Sequence, residues 1–415
     1  MSSTDKLFSP YQTFIIAALA LLQFSLILDF MVISPLGAQL MPTLGITPAQ
    51  FGWVVSVYAF SAGISGLLAA GFADRFDRKK LLLFFFAGFI VGTFLCGVAP
   101  NYPFLLAARI ITGIFGGVIG SVTFAIITDI FAAEVRGRVM GFVQMAFAVS
   151  QIIGLPVGLY VSNLWDWHAP FLMIVGLTIP LWVLLFVKMQ PVSAHLALQK
   201  DHSAFEHLLK TVSKNFYLRA FATTTLLATG GFMLMPFGSA YAVNNLGISM
   251  EDLPKIYLVT GICSMIAGPL LGKLTDQMGS MRVFTGGSAL ALVLVLVYCH
   301  LGITPIWWAA ALNAVMFVGI TARMISSSAL FTTVPTPADR GAFMGINSSV
   351  AQISGGFASA VAGLIIHQTE TGYLENYPLL GWVVAASMVV CTVLMFSIYK
   401  AVKARRELKE EGLKS

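Results

Sequence analysis

Twelve apolar runs, most of them about 20 residues or longer, follow one another along this chain of 415 residues with little between them. Roughly 20 apolar residues cross a bilayer as a helix. A soluble fold could hide such runs only beneath a polar coat. That coat is missing: 58% of the residues are hydrophobic and 10% are charged, against about 25% charged in soluble domains. A soluble enzyme, a nucleic-acid binder and a disordered chain are excluded. The expected fold is all-α and membrane-embedded, with twelve transmembrane helices near 12–36, 51–71, 81–99, 103–128, 138–161, 168–187, 217–243, 253–272, 282–300, 305–333, 341–366 and 378–399.

The basic residues give the orientation. Of 24 Lys and Arg, 21 fall on one side, in the loops, the terminal segments and the single long connection; Lys255 falls on the other side, and Arg109 and Arg323 lie within spans. Positive residues stay cytoplasmic, so both termini and the 188–216 connection are expected inside, in a cell (inner) membrane. Trp53, Trp165, Trp167, Trp307, Trp308 and Trp382 fall at the outer ends, as an interfacial belt would. The N-terminus has no basic n-region or small-residue cleavage site, so the first run reads as an uncleaved span. Cys96, Cys263, Cys299 and Cys391 lie in apolar runs without CxxC spacing, which predicts buried thiols and no metal site. The connection carries His195, His202 and His207, with a weak helical pattern at Phe205, Leu208, Leu209 and Val212; it reads as a solvated linker.

The chain repeats itself. Arg136-Gly137-Arg138-Val139-Met140-Gly141 recurs as Arg340-Gly341-Ala342-Phe343-Met344-Gly345, and Asp74-Arg75-Phe76-Asp77 has its counterpart in Asp276-Gln277-Met278-Gly279, at offsets of 204 and 202. Two six-span halves are a transporter architecture with the substrate near the midplane. The expected organisation is 1–187 for the first six-helix bundle, 188–216 for the cytoplasmic linker, 217–400 for the second bundle and 401–415 for a cytoplasmic tail.

These motifs resemble the major facilitator superfamily over essentially the whole chain. Its loop between spans 2 and 3 reads G-x-L-a-D-r-x-G-r-k; here it is Ala70-Gly71-Phe72-Ala73-Asp74-Arg75-Phe76-Asp77-Arg78-Lys79, with Ala70 and Asp77 at the glycine positions. Arg109-Ile110-Ile111-Thr112-Gly113 is similar to the family's R-x-x-q-G, and Gly154-Leu155-Pro156-Val157-Gly158 to the G-P-x-x-G-G of the proton-coupled drug-antiporter branch. The resemblance implies pseudo-symmetric bundles, alternating access, helix packing at Gly113, Gly154, Pro156 and Gly158, and no cofactor beyond a proton gradient. It also implies a conformational latch among Asp74, Arg75, Arg78, Asp129, Arg136, Asp276 and Arg340, with Asp129 holding Arg78. By charge alone, Asp74 and Asp276 suit the N-terminal dipoles of the spans starting at Gly341 and Gly137; such contacts would close the inner side and break when the halves rock apart.

Three ionisable residues lie well inside spans: Asp29, Arg109 and Arg323. Such residues are costly and point to function. Counted by helical rise, Asp29 lies about 25 Å along span 1 and Arg109 about 9 Å below the outer end of span 4, so both reach the outer half at comparable depth. Three readings follow: a permanent neutral pair, a carboxylate that trades its arginine for a proton during transport, or two residues that make no contact. Arg323 has no acidic partner in any span, so its acceptor is backbone, cavity water or an anionic substrate. Gln144, Gln151, Asn313 and Asn347 are further substrate-binding candidates, or interhelical hydrogen-bonding groups. The function expected is proton-driven efflux of a small amphiphilic compound; an organic-anion carrier with Arg323 as docking cation is the alternative, and a non-transporting receptor the remote one. No clustered catalytic set supports an enzyme. The expected partners are a small-molecule substrate and the lipid bilayer, with no nucleic acid, and the protein is expected to be a monomer.

Overall fold

The computed structural model describes residues 8–193, 196, 211–336 and 339–411; His195, His202, His207, Phe205, Leu208 and Leu209 of the linker lie outside them. Among the described residues twelve helices are long and apolar enough to cross a membrane: Pro10–Val32 (span 1), Pro48–Ala69 (span 2), Arg78–Cys96 (span 3), Tyr102–Ile130 (span 4), Glu134–Leu164 (span 5), Ala169–Lys188 (span 6), Asn215–Asn244 (span 7), Leu253–Met278 (span 8), Ser280–Cys299 (span 9), Ile306–Phe331 (span 10), Arg340–Ile365 (span 11) and Tyr377–Arg405 (span 12). A hairpin of His367–Gln368 with Leu374–Glu375 joins spans 11 and 12.

Local chemistry sets the boundaries. Spans 1 and 2 open with capping boxes, Ser9 with Gln12 and Thr47 with Gln50, each followed by proline at the first helical position, where its missing N–H costs nothing. Asp77 accepts from the Lys80 N–H at 3.0 Å, so the residue replacing the family's second glycine caps span 3.

Spans 1 and 7 are both broken. Span 1 leaves the helix after Val32 and resumes as Gly37–Leu44, while span 7 leaves it after Phe232 and resumes as Gly238–Asn244. The first resumed piece ends on Gly45 at φ 60°, and Gly247 at φ 73° turns the chain three residues after the second ends, a conformation that costs a side-chain-bearing residue far more. The breaks face each other, and the Ser239 hydroxyl donates to the Ser34 carbonyl across 3.2 Å. Span 5 holds a π-turn at Ser150–Gly154 ahead of Pro156, with the Leu155 N–H reaching back to the Ser150 carbonyl. This wider turn accommodates a proline that would clash with a regular α-turn.

The two halves meet along spans 2 and 11, spans 5 and 8, and the broken ends of spans 1 and 7. Backbones approach closely there. A Cβ on Gly52 would lie 2.7 Å from the Ser359 carbonyl oxygen and one on Gly363 2.6 Å from that of Pro48, while the Ser56 hydroxyl donates to the Gly356 carbonyl at 2.6 Å. One apolar core draws on both halves at this end. Toward the other end, which carries the termini and the basic loops, the core separates into one cluster per half. Gly71, Gly137, Gly141, Gly272, Gly341 and Gly345 have open space around them there. The molecule is therefore sealed at the tryptophan-rich end and cleft at the basic end.

Five of the six outer tryptophans are exposed as expected. Trp167 is not: only 2% exposed, it stacks on His168 at 3.7 Å and fills the core instead of joining a belt. Trp182, away from the belt, ties span 6 to span 3 by donating to the Leu83 carbonyl at 2.9 Å.

Candidate functional site

Asp29 and Arg109 meet. Asp29 lies one turn before the break in span 1, and Arg109 Nη1 donates to its Oδ2 at 3.0 Å. Neither side chain is exposed at all. The Thr93 hydroxyl of span 3 donates to Asp29 Oδ1 at 3.0 Å. Small residues bring these helices together: a Cβ on Gly92 would lie 2.6 Å from Thr112 Oγ1, and one on Gly113 2.6 Å from the Tyr58 carbonyl oxygen. Gly154 and Gly158 of span 5 similarly admit Leu28 and Val32 of span 1.

The pair is satisfied unequally. Both carboxylate oxygens have a donor, but Arg109 Nε and Nη2 have no geometric hydrogen-bond partner among the described residues, with the Cys96 thiol beside the guanidinium. The face of Tyr58 lies under the guanidinium, 4.3 Å from ring centroid to Cζ. A desolvated cation–π contact of this kind contributes about 2 kcal/mol. A buried charge is tolerated at far lower cost paired than alone, and losing one partner costs about 3–5 kcal/mol. The site can therefore exist as a neutral pair, or part if a proton replaces the arginine.

Arg323 is placed differently from the docking role expected of it. Only 2% exposed, its guanidinium lies over Phe284 of span 9 at 5.4 Å and beside the Cys391 thiol of span 12. Its Nη1 has no partner. The side chain is enclosed by its own half and does not face the cleft. Asn347 accepts from Thr224 at 2.6 Å, and Asn313 from Thr260 at 2.9 Å, so each amide oxygen joins two neighbouring helices. Gln151 sits in the π-turn at the seam with Gly261 of span 8, whereas Gln144 is exposed on span 5.

At the basic end Arg78 is 5% exposed. It donates to Asp74 at 2.7 Å, Asp129 at 3.1 Å and the Ala73 carbonyl at 3.0 Å. Its own N–H bonds the Val192 carbonyl at 3.0 Å, which fastens the start of the linker to this loop. Asp74, Asp129 and Ala73 all belong to the first half, and the Arg78–Asp129 pair is made while the cleft is open. Arg136 donates to the last carbonyls of span 4, Thr128 at 2.6 Å and Phe131 at 2.9 Å. Arg75, Asp276 and Arg340 are exposed and make no ion pair among the described residues.

Sequence reasoning missed the second half's own basic-end cluster. Asp339, just before span 11, accepts from Lys214 at 2.5 Å, Tyr217 at 2.8 Å and Thr336 at 2.9 Å. The Lys214 bond foremost, then that of Tyr217, holds its carboxyl down at about 2. The only sequence signal was an acidic residue at a helix start.

The chain matches the Major Facilitator Superfamily over residues 19–336. It belongs to that superfamily. This superfamily member is a multi-pass membrane transporter, not an enzyme. It is 24% identical over 404 residues to the uncharacterized MFS-type transporter YbcL of Bacillus subtilis, covering 93% of this chain and 96% of that one. It is 26% identical over 264 residues to YceJ of the same organism, also an uncharacterized MFS-type transporter, covering 63% and 67%. In fold it is similar to a bacterial homolog of the human lysosomal transporter Spinster, solved in an inward-facing and unoccupied conformation, with TM-score 0.76 at 16% identity over 96% of this chain and 98% of that one. The nucleoside transporter NupG gives TM-score 0.74 at 14% identity over 93% and 99%.

Proposed function

We propose that this superfamily member is a proton-driven exporter of small amphiphilic compounds in the cell membrane, of the drug-antiporter kind, working as a monomer by alternating access. The basic end is cytoplasmic on this reading, because Lys and Arg concentrate there, and the cleft then opens to the cytoplasm. The carrying observation is the fully buried Asp29–Arg109 pair beside the break in span 1. A group that is charged in one state and neutral in another must sit inside the membrane for protons to drive transport. Asp29 is the only carboxylate in the interior of any span. Parting the pair leaves a buried lone charge, so the parting calls for a proton on Asp29. Arg109 stays charged throughout.

The halves 1–187 and 217–400 rock as units in this scheme. The seam of spans 2 and 11 opens while the basic end closes, and the Asp74, Arg136, Asp276 and Arg340 set meets across the closed end. The organic-anion alternative is less well supported, since Arg323 is walled off from the cleft. Reconstitution tests the proposal: an imposed proton gradient should drive amphiphile accumulation in proteoliposomes, and a protonophore should abolish it. Equilibration that ignores the gradient would reduce the protein to a facilitator.

A further inference from the structure

An aromatic column leads from the second half to the buried pair. Phe232, at the break in span 7, has its ring centroid 5.7 Å from that of Phe30 on span 1. Phe30 in turn lies 5.4 Å from Tyr58 on span 2, and Tyr58 underlies Arg109 at 4.3 Å. Each end of the column is fixed. A Cβ on Gly355 would lie 2.8 Å from the Phe232 ring, and the Ser359 hydroxyl holds the Phe232 carbonyl at 3.0 Å, so Phe232 moves with span 11. Phe30 follows Asp29 directly in the chain. At the far end the Tyr58 ring covers a guanidinium with two nitrogens that have no hydrogen-bond partner among the described residues.

We propose that Tyr58 is the positioning residue of the Asp29–Arg109 pair, and that Phe232 and Phe30 relay to it the movement of the two halves. The inference rests on the proton-driven reading. When the seam opens, Phe232 departs with the second half, Phe30 loses its support and Tyr58 is free to turn. Arg109 then loses the face that held it against Asp29. The charged or titratable groups facing Asp29 are Arg109 of span 4, Tyr58 of span 2 and Cys96 of span 3. Spans 5 and 6, packed against span 1, carry no charged side chain at this depth.

The test needs no substrate. Gly345→Cys, in open space on span 11, reports cleft opening by its labelling rate in a Cys263→Ser background, followed from pH 5 to 9 in proteoliposomes. The wild-type background should show a pH midpoint that Asp29→Asn abolishes. Tyr58→Phe keeps the ring and should keep the midpoint. Tyr58→Leu and Phe232→Leu should move it toward higher pH by about one unit, a tenfold change in proton affinity. Phe232→Leu lies away from the pair, so it carries the test if Tyr58→Leu fails to insert. A wild-type midpoint in both leucine variants overturns the relay while leaving the coupling role of Asp29 intact. An absent wild-type midpoint, or one that survives Asp29→Asn, overturns the proton-driven reading and the relay with it.

Discussion

Arg109 donates to Asp29 across 3.0 Å where neither side chain touches solvent, so the two residues stand or fall together. Arg109→Ala strands a carboxylate and should cost about 3–5 kcal/mol, seen as a lower melting midpoint of the purified protein in detergent. Asp29→Asn/Arg109→Gln removes both charges and should recover most of that loss. Equal damage from the single and double substitutions would mean that the two charges do not depend on each other.

The seam at the sealed end depends on glycine. Gly363→Ala places a methyl 2.6 Å from the Pro48 carbonyl oxygen on the opposite half, an overpacking penalty of about 1–3 kcal/mol that falls on this conformation alone. The balance should move toward the state with that end open, read as slower labelling of a cleft cysteine. Gly341→Ala, with open space around it, should leave labelling unchanged.

Arg78 and Asp129 are joined while the cleft is open, and both belong to the first half. Asp129→Asn should therefore lower the melting midpoint without changing the labelling of a cleft cysteine. A shift in labelling would assign the pair to the state change instead.

Asp339 ties the end of the linker to the start of span 11. Its carboxyl is held down at about 2 by Lys214 and Tyr217, below the ordinary value near 4. The stabilisation is thus complete above about pH 4 and is lost as pH falls toward 2. Asp339→Asn should lower the melting midpoint by a few degrees at pH 7, and the gap to wild type should narrow between pH 4 and pH 2. A gap that does not change with pH would mean that the carboxylate charge plays no part.

Span count and the sidedness of the basic residues could be read from the sequence because hydropathy and charge are properties of composition along the chain. The depth of Asp29 and Arg109 was readable too, because helical rise is fixed and only one acidic partner existed. Azimuth was not. Nothing local says that Arg323 turns toward Phe284 and Cys391, or that Trp167 turns inward. The breaks in spans 1 and 7 had a signal that went unused: Leu44-Gly45-Ile46 recurs as Leu246-Gly247-Ile248 at an offset of 202, and both glycines adopt positive φ. The π-turn at Ser150–Gly154 was hidden because proline marks a distortion without specifying its form.

Substrate-driven proton flux in proteoliposomes tests whether Asp29 is the coupling group. Asp29→Asn keeps the shape of the side chain and abolishes its titration. This variant should retain substrate exchange while proton flux and uphill transport fall to background. Proton flux at the wild-type level in Asp29→Asn would contradict it.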